Sequence, residues 1–270
     1  MALIEKKISY IFSSDPANGA QVVSNDGSTF NVTLDYPISL PHSTKYATLE
    51  LHSASIWYVT PNISADLKNN IFSYSDGVTL YSFTIDDGLY NFTQLVEAIT
   101  LKSATLLPAP VKTFTQLFNF FPDDPTQRTA IQFVDATAYI SWVPNGLSTI
   151  FGFNVGTITG PQPVNTVVFG DTQAEFNVVN QYYINTNLVN TGIPLNSKMS
   201  NILSVVYIDV PPGSQINYQP FKPQIIDASE LIGAKRTNFR FWLTDQKGRY
   251  VDTVGEVWSF VCTLRYWILM

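Results

Sequence analysis

Hydrophobic and polar residues alternate along much of this chain. From Phe30 the even positions read Phe30, Val32, Leu34, Tyr36, Ile38 and Leu40, and the odd ones read Asn31, Thr33, Asp35, Pro37 and Ser39. A period of two describes a strand with one buried and one wet face. Pro37 cannot donate to a ladder, so the later part of this strand belongs at a sheet edge or bend. Next, Ala47, Leu49 and Leu51 alternate with Thr48, Glu50 and His52. The phase then blurs over Ser53–Ser55, which predicts a bulge.

The end of the chain repeats the pattern. Phe239, Phe241 and Leu243 alternate with Arg240, Trp242 and Thr244, and after a turn Trp258, Phe260, Cys262, Leu264, Tyr266 and Ile268 make an unbroken apolar face. These read as an antiparallel pair, with the last strand central in its sheet. Further strands are predicted around Phe72–Tyr74, Tyr81–Ile85, Ile131–Val134, Tyr139–Val143, Thr166–Phe169, Ala174–Val179, Tyr182–Leu188 and Ile202–Val210. Turn chemistry separates the strands at Asn25-Asp26-Gly27, Ser75-Asp76-Gly77, Asp86-Asp87-Gly88, Pro211-Pro212-Gly213 and Gln246-Lys247-Gly248.

One helix stands out. Asn91 is an N-cap candidate with Gln94 three residues on, a capping-box spacing. Phe92, Leu95, Val96 and Ile99 then follow helical periodicity. The proline-rich stretch Leu106–Arg128 reads as a surface excursion with a helical turn near Thr115–Phe121. Many short strands, frequent turns and one helix make an all-β sandwich or barrel. Spacing alone leaves Greek key and jelly roll both open.

Composition adds a condition to this picture. Of 270 residues, 45% are hydrophobic and 14% aromatic, and only 13% are charged. The charged share is about half the usual ~25%, which excludes coiled coils and charge-rich disorder. A surface this poor in charge points to cover by other subunits. The net charge of −6 argues against a broad nucleic-acid-binding face. One cysteine and two histidines leave no internal disulfide and no ordinary Cys/His zinc site. No apolar run approaches the ~20 residues of a membrane span. Residues 1–10 contain Glu5, Lys6 and Lys7 and do not read as a signal peptide. The expectation is a soluble protein made inside a cell, with no cofactor.

Two segments together carry a resemblance. The first runs from Ala47-Thr-Leu-Glu-Leu through Trp57-Tyr58, Pro61-Asn62-Ile63-Ser64 and Asn70-Ile71-Phe72-Ser73-Tyr74 to Phe83-Thr84-Ile85-Asp86-Asp87-Gly88-Leu89-Tyr90 and the helix. The second is Phe241-Trp242-Leu243-Thr244-Asp245-Gln246-Lys247-Gly248-Arg249-Tyr250-Val251-Asp252, followed by Gly255-Glu256-Val257-Trp258-Ser259-Phe260. Ile150-Phe151-Gly152-Phe153 lies between them. In this order they resemble the penton (vertex, minor capsid) proteins of virophages, Polinton-like viruses and related double-jelly-roll viruses. The resemblance spans most of the chain from about Ala47.

The resemblance implies a single jelly-roll antiparallel β-sandwich with an inserted, mostly-β subdomain carrying the one short helix. Residues 1–60 and 160–270 would form the jelly roll and residues 61–159 the insertion. It implies a structural, non-enzymatic virion protein whose homopentamers close the five-fold vertices of an icosahedral shell. Its partners would be four further copies and the major capsid protein, with a vertex spike or host receptor as further candidates and no direct nucleic-acid contact. Two other classes stay open. One is a viral or phage receptor- or glycan-binding module, and the other is a β-sandwich hydrolase.

Most residues that could carry chemistry have plain structural roles. Asp86-Asp87 precedes a glycine and reads as a turn; Asp123-Asp124 sits between prolines in a loop. Asp245, Asp252 and Glu256 cluster near the last hairpin, where a solvated turn with Arg249 as salt partner is favoured over a calcium site. His42 and His52 lack a nucleophile motif around them. Cys262 reads as buried and unreactive. Asn31, Asn62 and Asn91 begin N-x-Ser/Thr sequons that read as chance matches. Lys6-Lys7 is a short basic pair that in a capsid subunit would reach under the shell toward neighbours or a membrane; a plain first strand at Ile8–Phe12 is the favoured reading. The interface candidates are Trp242, Trp267, Arg249, Tyr182 and Tyr218, because aromatics and arginine anchor interfaces at low entropic cost.

Overall fold

The structure is a computed structural model that describes residues 3–106, 109–110, 112–195 and 200–269. It contains two compact units, Met1–Thr60 with Val179–Met270, and Pro61–Val178. The chain enters the first unit with β1 (Leu3–Ser13), β2 (Ala20–Val22), β3 (Thr29–Ile38) and β4 (Thr44–Trp57). It then builds the second unit from β5 (Ile71–Ser75), β6 (Leu80–Thr84), α1 (Phe92–Ser103), α2 (Phe114–Leu117), β7 (Phe118–Asp123), β8 (Arg128–Phe133), β9 (Tyr139–Ser141), α3 (Ser148–Phe151), β10 (Ile158–Thr159) and β11 (Val167–Phe169). It returns to the first unit with β12 (Gln181–Thr186), β13 (Ile202–Tyr207), β14 (Gln215–Tyr218), β15 (Ile225–Asp227), β16 (Arg236–Asp245) and β17 (Ser259–Leu269). The return falls at Val179 rather than near residue 160, because β10 and β11 pair with β9 and β8 inside the second unit.

The first unit is a sandwich of two five-stranded antiparallel sheets. One has the order β1-β17-β4-β14, with β15 also on β4; the other is β13-β12-β16-β3-β2. Its eight principal strands, taken in chain order, divide as first, eighth, third and sixth against fifth, fourth, seventh and second. This interleaving is jelly-roll connectivity. The second unit is inserted between β4 and β12, the third and fourth of these strands.

Why the two sheets adhere follows from the alternation. Phe12, Phe260, Cys262 and Leu264 share the buried phase of β1 and β17, and Phe239, Phe241 and Leu243 share that of β16. Phe12 and Phe241 meet across the sheets with ring centroids 4.4 Å apart, and Phe241 meets Phe260 edge-on at 5.1 Å. Each such aromatic removes a large apolar area from water and gains directional ring contacts besides.

One expectation about the sandwich is corrected, and the expected bend near Pro37 and bulge in β4 gain a defined register. β16 and β17 do not pair; they lie in opposite sheets, and β17 runs between β1 and β4. Alternation identifies a buried face but not the strand beside it. On β3, the register passes from Thr33↔Asn238 to Ile38↔Arg236, so the intervening Leu34–Pro37 bows away from β16. Tyr36 is consequently 85% exposed despite its apolar phase. The bulge expected at Ser53–Ser55 centres one residue earlier, where His52 is skipped between Leu51↔Cys262 and Ser53↔Val261.

The second unit packs a four-stranded sheet, β10-β9-β5-β6, and a three-stranded sheet, β11-β8-β7, around a shared aromatic core. α1 begins where expected. Asn91 Oδ1 accepts from Gln94 N at 2.9 Å and Gln94 Oε1 accepts from Asn91 N at 3.0 Å, so both partners of the capping box are in place. Its Leu95 and Ile99 are fully buried in that core.

The stretch read as a surface excursion has its expected helical turn in α2, but its aromatics enter the core. Phe114, Leu117, Phe118 and Phe120 are buried, and Phe114 packs on Tyr74 at 5.4 Å. Phe118 and Phe120 carry the period-two signal of β7, masked by the surrounding prolines. Ala174–Val179 forms no strand; it is held by isolated bonds such as Glu175 N to Ile150 O at 2.9 Å.

Candidate functional site

Strand register decides which candidates share a face. On the outward phase of the β1-β17-β4 sheet, Glu5 is level with Trp267 and Tyr46, Lys7 with Arg265 and Thr48, and Ser9 with Thr263 and Glu50. Trp267 stacks on Tyr46 with ring centroids 4.3 Å apart and planes 19° from parallel. Beside this stack, Arg265 Nη2 lies 3.0 Å from Glu50 Oε2, and Arg265 Nη1 lies 3.4 Å from Glu5 Oε1. Glu50 is only 5% exposed. Enclosing a carboxylate is costly unless a cation offsets it, and Arg265 lies directly against this one. Sequence reading placed Glu50 on a polar phase but did not pair it. The signal was a charged residue on each of two long strands, which only register brings together.

The other interface candidates fall in different places. Trp242 is half-buried on β16, on the phase opposite Phe241, with the Arg240 guanidinium 5.7 Å from its ring centre. Tyr218 is half-buried on β14, level with Ala54. Arg249 is engaged inside its own hairpin, its Nε 2.8 Å from Asp245 Oδ2. Asp245 also accepts from the backbone N–H groups of Lys247 and Arg249 at 2.8 and 2.9 Å, so this carboxylate organises the turn. Tyr182 is removed from the set. It has no exposed surface, and its hydroxyl lies 2.6 Å from Thr60 Oγ1. Burial pushes that phenol well above its ordinary pKa.

The possible chemical groups do not converge. Asp86 pairs with Lys102 Nζ at 2.9 Å, and Asp87 accepts from Ala65 N at 3.0 Å. His42 and His52 are both exposed. Among the described residues, no group of three or more His, Cys, Asp or Glu side chains is gathered as metal ligands would be. Cys262 is fully enclosed, and burial pushes its thiol up to about 12. Asn62 is buried too. Its amide donates to Tyr90 O and Phe176 O at 2.7 and 2.9 Å and its carbonyl accepts from Tyr90 N at 2.8 Å. It fastens two loops of the second unit and is no glycan acceptor in the folded chain.

One open cleft on the second unit, about 310 Å³, is lined by Phe92, Asp123, Asp124, Arg128, Glu175 and Phe176 among others. Phe92 and Phe176 pack on each other at 5.8 Å with planes tilted by 59°. Both are half-buried.

The motif between the two resembling segments also has a defined place. Phe151 closes α3 with no exposed surface, and Gly152 caps it at φ +78°. A Cβ at Gly152 would lie 2.3 Å from Thr172 O, so both the angle and the close approach require glycine.

No protein-family model matches the chain, and no curated protein matches it. Solved structures do. The chain matches the crystal structure of the mavirus penton protein over 99% of its own length and 100% of the other, with a TM-score of 0.52 at 9% identity. The cryo-EM structure of the Sputnik virophage at 3.5 Å matches over 96% of this chain and 97% of that one, with a TM-score of 0.45 at 16% identity. The first match is a likeness of fold that runs through both units.

Proposed function

We propose that this chain is a structural capsid protein, a penton whose homopentamers close the five-fold vertices of an icosahedral shell. The observation that carries the reading is the fold likeness to the mavirus penton protein across essentially the whole of both chains, insertion included. The segments that resemble penton proteins in sequence support it, because they coincide with fold-determining features: the Asp245–Arg249 hairpin and the Phe151-Gly152 cap. In this role the chain is a wall rather than a catalyst. Its outward surfaces meet copies of itself and the major capsid protein in the virion. The low charge content then has a cause, since much of the surface is covered on assembly.

In the cleft beside Phe92 the Phe92 and Phe176 rings pack on each other with planes tilted by 59°. Mass measurement of the purified protein, or of gently dissociated particles, tests the proposal. Five-subunit species are expected. A strictly monomeric protein that hydrolyses a polysaccharide overturns it.

A further inference from the structure

Two asparagines in this chain are followed by glycine, Asn18 and Asn145. Such a pair can modify itself. The glycine backbone nitrogen, on losing its proton to solvent base, bonds to the asparagine Cγ. The Cγ–Nδ2 bond breaks, and ammonia leaves with a proton taken from water. Water then opens the resulting succinimide at either carbonyl, leaving aspartate or isoaspartate in the chain. Glycine favours the first step because no Cβ shields the nitrogen or restricts the rotation that brings it onto Cγ.

The fold treats the two pairs differently. Asn18 ends a short 3-10 turn, Pro16–Asn18, and both Asn18 and Gly19 are exposed. Gly19 has a φ of +82°, and a Cβ placed there would meet nothing within 4 Å. The bonds that restrain this pair are local. Asn18 N donates to Asp15 O and Gly19 N to Pro16 O, each at 3.0 Å, and Asn18 Nδ2 donates to Asp15 Oδ2 at 3.2 Å. Turning Gly19 N onto Asn18 Cγ therefore breaks one backbone hydrogen bond of its own, within a small surface turn.

Asn145 is exposed too, but Gly146 is buried. The Gly146 nitrogen donates to Val143 O at 3.2 Å. On either side of it Ile71 N donates to Asn145 O at 3.2 Å and Leu147 N donates to Ile71 O at 3.0 Å, so the first residue of β5 clamps this peptide. A Cβ at Gly146 would lie 2.8 Å from both Ile71 O and Val143 O, so the backbone is enclosed where the rotation must occur. Reaction here requires the segment to part from β5.

We infer that Asn18 is a site of spontaneous deamidation and isoaspartate formation, and that the fold protects Asn145. The product carries a new carboxylate where the amide contacted Asp15, and isoaspartate lengthens the backbone just ahead of β2, an edge strand of its sheet. Like charges so placed repel, so the turn and the start of β2 loosen as the protein ages. The inference is independent of the vertex reading.

Peptide mapping by mass spectrometry, after the native protein has been held at mildly alkaline pH, tests it. The mass gain of amide-to-acid conversion should accumulate in the peptide holding residues 18–19 at least about tenfold faster than in the one holding residues 145–146, because more backbone bonds must break at Asn145. Both pairs should convert at similar rates once guanidinium unfolds the chain. Hydroxylamine, which cleaves succinimides, should cut the native chain after residue 18, and Asn18→Gln should abolish that cut. Conversion of Asn145 as fast as that of Asn18 in the native protein overturns the inference. So does a native Asn18 that stays intact over a period in which the unfolded chain converts.

Discussion

Trp258 meets Phe30 edge to face across the sandwich, with ring centroids 4.9 Å apart and planes at 71°. The indole Nε1–H also donates to Gly27 O at 3.2 Å, so the ring is both packed and hydrogen-bonded where the last strand begins. Trp258→Ala should destabilise the fold by about 3–5 kcal/mol, as other large aromatic core truncations do. Denaturant unfolding measures it. A loss near zero would mean that the faces of β17 are reversed.

Some of this was legible in the sequence and some was not. The buried phase of Trp258 to Leu264 and the α1 capping box are local signals, and both hold. Which strand lies beside β17 is a long-range fact. Alternation is blind to it, which is why β16 was placed there wrongly. Tyr182 and Tyr183 are consecutive, so a period of two cannot say which of them faces in; the structure buries both. The Glu50–Arg265 pair joins residues that only strand register makes neighbours.

That ion pair makes its own prediction. Arg265→Met leaves the enclosed Glu50 without its cation and should cost about 3–5 kcal/mol, as breaking other buried pairs does. Adding Glu50→Gln removes the stranded charge and should recover most of the loss. A double-mutant cycle by chemical denaturation reads the coupling. Equal losses in the single and double variants would show that Glu50 is well solvated.

Asn62 ties Tyr90 and Phe176 together through three hydrogen bonds inside the second unit. Asn62→Ala leaves buried backbone groups unsatisfied, at about 1–3 kcal/mol for each group that water does not reach. Hydrogen exchange should show the effect as lost protection around residues 88–92 and 174–178. Unchanged protection there would contradict the role given to this side chain.

Cys262 is predicted to be silent. With its thiol raised to about 12 by burial, almost no thiolate exists at pH 8, and the enclosed sulfur is also out of reach. Iodoacetamide should label the folded protein negligibly and the guanidinium-unfolded protein readily. Rapid labelling of the native state would place β17 differently from the register described.

The central claim is where the chain sits. A reconstruction of the icosahedral particles that contain it addresses this directly. The expected result is density for five copies arranged head to tail about each five-fold axis, with the insertion resolved as part of every copy. Density for the chain away from those axes, or particles complete without it, would contradict the account.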